Sequence, residues 1–281
     1  MRASLRQYRR TRGLTQVKLA RLLGVTQAYI SQLEATRRPI SRRLAERLAA
    51  LPDLPPVVLP PRPARGTDTR ADALLGADLA ALGYPGFDRR TDRGVRNPAE
   101  VILSIIARRQ VSPGVMAAVP WLLLTYPTLD RAWLVEQVRV RNLQNRLGFL
   151  TDLALELAAG RRDAGGRPSR ETTERQTKTS AETHSAAAPP AGPAAKSTEH
   201  ASSDASRTSG TDSGDSNDHD DVIAALEALR ADLESSRLAN VGTLARVLTP
   251  TEEQFFQEHR SAAARHWNLL TGLTVAQLPY R

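Results

Sequence analysis

Residues 14–39 read LTQVKLARLLGVTQAYISQLEATRRP, and this stretch decides the fold of the amino-terminal region. Its pattern predicts two short helices joined by a tight turn. Thr15 and Thr26 stand where the two helices begin, because a threonine hydroxyl there accepts an otherwise unpaired backbone amide. Gly24 supplies the left-handed residue that ends the first helix. The apolar residues that hold the two helices together recur at helical spacing. They are Leu19, Ala20, Leu22, Leu23, Ile30 and Leu33.

The outward face of the second helix carries small and amide side chains. A glutamine can bridge N6 and N7 of adenine, and an alanine can contact the methyl group of thymine. A serine can contact either a base or a phosphate. The pattern therefore favours a helix over residues 26–34 that reads base edges, while Tyr29 is open between backbone contact and packing. The predicted reading residues are Gln27, Ala28, Ser31 and Gln32.

The stretch resembles the helix-turn-helix of the lambda-repressor/Cro-type regulators, and the resemblance covers residues 2–51. The matching residues are Arg9, Leu14-Thr15-Gln16, Leu19-Ala20, Leu23-Gly24-Val25-Thr26, Ile30-Ser31 and Leu33-Glu34. The resemblance implies a four-helix DNA-binding domain over residues 1–51. It also implies a structural ion pair between Arg9 and Glu34, a phosphate contact from Gln16, and a place for Thr26 among the DNA-contacting positions. The alternative is an αα-hairpin that touches no DNA.

Charge agrees with a polyanionic partner. The whole chain has 281 residues and a net charge of +9, while residues 1–51 hold twelve Lys and Arg against two Glu, which gives +10. The basic excess is therefore confined to the predicted DNA-binding region.

A group of arginines follows the predicted reading helix. Such side chains neutralise phosphates and position a protein on DNA without reading its sequence. Many family members place glycine just after this helix, but this chain has Ala35-Thr36, so we expect the turn to be built differently. The arginines predicted to flank the groove are Arg37, Arg38, Arg42 and Arg43.

The rest of the chain divides by composition. Proline density over residues 52–70 predicts a semi-rigid spacer without helix. Helical patterns return over residues 71–160, including a stretch that is one helix or two broken near residues 142–148. Residues 161–219 are low in large apolar residues and are predicted to be a disordered linker. Residues 220–281 are predicted to be helical again, and we expect a mainly α protein.

An apolar stripe opens the carboxyl-terminal region. Its spacing suits either a short coiled coil or a helix that docks on residues 71–160, in the same chain or in another. The stripe residues are Val222, Leu226, Leu229 and Leu233.

Several functional classes are disfavoured. There is no cysteine, the first residues lack the apolar run of a signal peptide, and no apolar run is long enough to span a bilayer. We therefore expect a cytoplasmic protein, nucleoid-associated when bound to DNA. No catalytic motif, metal-ligand spacing or phosphate-cradling loop stands out, so we expect no enzyme activity, no metal and no cofactor.

Two functional hypotheses follow, with a third behind them. The first is a bacterial transcriptional regulator, acting as a repressor and binding double-stranded DNA as a homodimer. The second is an antitoxin that represses its operon and binds a toxin through residues 71–160 and 220–281. It draws on residues 145–150, NRLGFL, which resemble helical domains of abortive-infection antitoxins. In the third hypothesis, the distal helices form an effector domain, and the DNA-binding region brings that domain to DNA.

Overall fold

The chain is mainly α, as the sequence predicts. The computed structural model describes residues 4–35, 38–62, 72–87, 94–165 and 213–280. Within these residues two hydrophobic cores form, one from residues 5–59 and a larger one from residues 75–280.

Four short helices surround the first core. Each begins after a Ser or Thr whose side chain accepts the amide of the third helical residue, which is why each helix begins where it does. Gly24 ends the second helix with a φ of 58°. Leu19, Ile30 and Leu48 are fully buried between the helices. The helices are α1 (Leu5–Thr11), α2 (Gln16–Leu23), α3 (Gln27–Glu34) and α4 (Arg42–Ala49).

The proline-rich segment that follows is not a free spacer at its start. Pro56–Val58 form a 3₁₀ turn, and Leu59 is 6% exposed within the first core. The Tyr8 hydroxyl also donates to the Pro52 carbonyl at 3.0 Å. In the first part of the predicted spacer, the apolar side chains of Leu54, Val58 and Leu59 pack on the first core. Residues 63–70 lie outside the described residues.

Five helices build the first part of the second core. Asn97 caps α6, and its side chain accepts the amide of Ala99 at 2.8 Å. Pro120 lies inside α7. Asn142 adopts a φ of 55° between α8 and α9, so the long carboxyl-terminal pattern of this region is two helices. The helices are α5 (Asp72–Ala81), α6 (Pro98–Ile106), α7 (Pro113–Thr125), α8 (Arg131–Val140) and α9 (Gln144–Gly165).

The carboxyl-terminal residues complete this second core in the same chain. The apolar stripe of α10 (Ser213–Glu234) packs along α9 of the same chain, as one of the two predicted arrangements requires. Beyond α10 lie β1 (Gly242–Thr243), α11 (Pro250–Glu258), α12 (Ala262–His266) and β2 (Leu269–Leu270). The two strands pair in parallel, a feature that the helical prediction for this region missed.

Polar side chains fasten this packing. Asp152 on α9 accepts hydrogen bonds from Arg230 at 2.6 Å and from the Trp267 indole at 2.8 Å. Asn145 bonds to both the amide and the carbonyl of Leu238. A single carboxylate on α9 thus ties together two segments that follow it by 78 and 115 positions.

The predicted disordered linker falls mostly on residues 166–212, which lie outside the described residues. Its two ends are helical, because residues 161–165 continue α9 and residues 213–219 open α10.

Candidate nucleic-acid interface

Helix α3 is held by one face and exposed on the other. Ile30 is fully buried and Leu33 is 7% exposed, so they attach α3 to the first core. Because the reading positions fall on the side of the helix opposite these two buried residues, they point away from the core. The exposed residues are Thr26, Gln27, Ala28, Ser31 and Gln32.

The amide of Gln27 is fixed by a neighbouring helix. Its Nε2 donates to Oε1 of Gln16 at 2.7 Å, and Nε2 of Gln16 donates to Oε2 of Glu34 at 3.0 Å. The carboxylate of Glu34 receives the Arg9 guanidinium from the other side, through Nε at 2.5 Å and Nη2 at 3.0 Å. Three helices are thus joined through one line of polar side chains that ends at the exposed Gln27.

Glu34 is the buried member of this line. Its side chain is 2% exposed and that of Arg9 is 13% exposed. The hydrogen bonds from Arg9 hold the pKa of Glu34 below its ordinary value, against the opposing effect of burial, with help from Gln16. The carboxylate therefore stays charged at neutral pH, and it fixes α1 and α2 against the last turn of α3.

The turn between α2 and α3 is locked from α4. Nη1 of Arg47 donates to the carbonyls of Leu23 at 2.6 Å and Gly24 at 3.3 Å. Those carbonyls belong to the end of α2, where a cation is also favoured by the helix dipole. Arg47 was not among the residues predicted from sequence, because its partners are main-chain atoms, which leave no pattern in the sequence.

The predicted phosphate-contacting arginines are exposed where the structure describes them. The guanidinium of Arg38 lies 5.5 Å from the centre of the Tyr29 ring, so Tyr29 supports a cation. Arg42 and Arg43 open α4, and Arg42 donates to Glu46 at 3.2 Å. No hydrogen bond joins either of them to α2 or α3 in the described ranges. Thr36 and Arg37 lie outside the described residues. The predicted phosphate contact of Arg37 and the expected change of the turn at Ala35-Thr36 therefore lie there too.

Both ends of the Gln16 amide are engaged within the protein, by Gln27 and by Glu34. The sequence predicted a phosphate contact for it, and its position at the amino-terminal end of α2 is the one expected. The structure adds the bond to Gln27. The signal for this bond was the presence of two glutamines at the first positions of adjacent helices.

No described helix combines the length and apolarity that crossing a bilayer requires.

Comparison with known proteins agrees with this geometry. A family model described as "Helix-turn-helix domain" matches residues 1–60, which includes the buried Leu59. The searches of curated proteins and of solved structures returned no match. Over residues 1–60, therefore, this chain is similar to the helix-turn-helix domain family.

Proposed function

We propose that this protein is a sequence-specific transcriptional regulator that reads the major groove of DNA with α3. The observation that carries the proposal is the exposed amide of Gln27, held in place by Gln16 at 2.7 Å. A fixed amide can present its donor and acceptor to one base without first losing rotamer freedom. The proposal includes no enzyme activity, because the site offers groups for binding.

The basic surface supplies affinity. Residues 1–51 carry the chain's whole excess of positive charge, and exposed arginines lie within the loop that follows α3 (Arg38) and at the start of α4 (Arg42 and Arg43). Phosphate contacts of this kind bind all duplexes alike. Specificity therefore rests on Gln27, Ala28, Ser31 and Gln32, with Gln16 and Thr26 at the helix starts.

The proposed mode of action is repression by a dimer in the cytoplasm. Two copies would place their reading helices about 34 Å apart, on the two halves of a pseudo-palindrome. Binding at such a site would exclude other proteins from the overlapping DNA. The second core, built from residues 75–280, would then provide dimer contacts or receive a signal.

In vitro selection from a random duplex library tests this proposal. Full-length protein at a stated salt concentration should enrich one sequence, whose two half-sites are related by a two-fold axis and spaced by about one helical turn. Enrichment of no sequence, or equal recovery of every sequence, would remove the proposal.

The antitoxin reading is a second candidate, which the resemblance of residues 145–150 to helical domains of abortive-infection antitoxins favours. In that case residues 71–160 and 220–281 would bind the toxin. Co-expression with the product of a short neighbouring gene, followed by purification, tests it. A stable stoichiometric complex that neutralises a toxic activity is the expected result, and separate elution of the two proteins would count against it.

A further inference from the structure

A second site lies far along the chain from the DNA-reading helix. A cavity of about 770 Å³ opens beside the start of α7, within the range of pockets that hold small molecules. Four stretches of chain enclose it: the beginning of α7, the segment between β1 and α11, α11 itself, and the residues from β2 to the carboxyl terminus. The cavity is open to solvent on one side, so a small molecule can reach it from outside.

The wall of the cavity is mostly apolar. Met116 is 1% exposed, Leu244 is 2% exposed and Leu270 is 6% exposed, and these three form part of a firmly packed lining. Phe255 and Phe256 stand on α11 as a T-shaped pair whose ring centres are 5.6 Å apart. Phe255 is 54% exposed, which places an aromatic ring at the mouth. A flat apolar ligand would cover that ring.

The polar groups at the cavity carry no uncompensated charge. Arg246 pairs with Glu252 at 2.6 Å, so its charge is already met by a carboxylate. Oε1 of Gln277 accepts the Thr274 amide at 3.2 Å. The site therefore suits an uncharged molecule, since a charged ligand would have to compete with the Arg246–Glu252 pair for its partner.

We propose that this cavity binds a small, uncharged, largely apolar molecule, aromatic or short-chain. The concave shape and the volume favour a small molecule over a helix or a second copy of the chain, which need an open groove or a flat patch. This inference does not depend on DNA binding. It gives the second core a ligand-binding role that the helix-turn-helix domain does not imply.

Fluorescence titration with N-phenylnaphthylamine tests the proposal on the full-length protein. The dye is an uncharged aromatic that brightens in apolar sites. We expect saturable binding with one site per chain. The sulfonated analogue of the same dye should bind more weakly, because the cavity has no free cation. Tighter binding of the sulfonate, or a linear unsaturable signal, would overturn the proposal.

Two variants locate the binding site. Phe255→Ala removes the ring at the mouth and should weaken dye binding by about fivefold, the change in affinity expected for the loss of one aromatic contact. Val247→Ser is the matched control, because Val247 is 68% exposed and does not line the cavity. It should change the affinity by less than about twofold, as expected for an isolated surface residue. Equal effects of the two variants would mean that the dye binds exposed apolar surface, and would overturn the site. Circular dichroism of both variants checks that they fold.

Two further outcomes would replace the small molecule with a protein occupant. If dye affinity falls as the protein dimerises with rising concentration, and Phe255→Ala abolishes the dimer, the occupant is a second copy. If the dye binds only after residues 166–212 are deleted, that segment of the chain fills the cavity. Unchanged dye binding in both experiments is the result we expect.

Discussion

The guanidinium of Arg9 donates to both carboxylate oxygens of Glu34, and Glu34 in turn accepts the amide of Gln16. This pair lies at the junction of α1, α2 and α3. It therefore connects the stability of the helix-turn-helix domain to the position of Gln27, the residue proposed to read DNA.

Removing Arg9 should lower the stability of the first core by more than its hydrogen bonds to Glu34 contribute. Arg9→Ala leaves the buried Glu34 with the exposed and more distant Arg6, at 3.8 Å, as its cation, and we expect a loss of about 3 kcal/mol from the first core. Hydrogen exchange of the α2 and α3 amides measures this loss of stability. Tryptophan fluorescence would not report on the first core, because all three tryptophans lie in or against the second. Arg10→Ala, at an exposed neighbouring position, is the control. Equal loss of protection in both variants would contradict a specific role for Arg9.

The Glu34 carboxylate should make the first core sensitive to acid. Its pKa is lowered in the folded state, so its contribution to stability is fully present above the unfolded value of 4.5 and is lost as the pH falls through the folded pKa. Glu34→Gln should therefore be less stable than the parent at pH 7, and this difference should shrink below pH 4.5. Hydrogen-exchange protection of the α2 and α3 amides, corrected for the intrinsic exchange rate at each pH, measures this difference in stability. A difference that stays constant across this range would contradict the account.

Gly148 should tolerate no side chain. A Cβ at this position would lie 2.5 Å from three atoms of the Trp267 ring, so Gly148→Ala should destabilise the second core by about 1–3 kcal/mol. Gly160 is the matched control on the same helix, because a Cβ there meets no atom within 4 Å. Gly160→Ala should be neutral or stabilising by about 0.5–1 kcal/mol. Thermal unfolding followed by tryptophan fluorescence separates the two, and equal midpoints would show that the ring does not rest on Gly148.

Asn97 should matter to both cores at once. Its Nδ2 donates to the carbonyl of Leu59 at 2.5 Å while its Oδ1 caps α6. Asn97→Ala should cost about 2–3 kcal/mol, the sum of a lost cap and a lost buried hydrogen bond. Asp130→Ala removes a cap alone, from the start of α8, and should cost about 1 kcal/mol. The amide of Leu59 should exchange faster in Asn97→Ala and not in Asp130→Ala. Unchanged exchange of the Leu59 amide in both variants would mean that the hydrogen bond from Asn97 to Leu59 contributes little to stability.

Local sequence signals predicted the local features. The caps Thr15 and Thr26 and the left-handed Gly24 need only a few adjacent residues, and the structure has them as predicted. The family resemblance added the long-range contact between Arg9 and Glu34, which spacing alone does not reveal.

Features that depend on distant packing were beyond the sequence. The burial of Leu59, the parallel pairing of β1 with β2, and the bonds of Asp152 join segments far apart in the chain. Which of several apolar faces meet is decided by shape, and shape is not periodic in sequence. The cavity beside α7 is likewise formed by segments that no local pattern connects.

The bond between Gln16 and Gln27 gives a graded prediction for DNA recognition. Gln16→Ala frees the Gln27 amide, so the preference for the selected sequence should fall by about 0.5–1.5 kcal/mol, the net value of one hydrogen bond. The double variant Gln16→Ala/Gln27→Ala should lose no more preference than Gln27→Ala, because the two residues act together. Competition binding of the selected and random duplexes measures all three. Additive losses would show that Gln16 reads DNA independently of Gln27.

The ratio of affinities for the selected and a random duplex, measured at one salt concentration, tests the central claim most directly. Gln27→Ala should lower this ratio by about 1–3 kcal/mol. Arg38→Ala should weaken both duplexes alike and reduce the salt slope by about one. A ratio that Gln27→Ala leaves unchanged would contradict the claim that α3 reads base sequence through this amide.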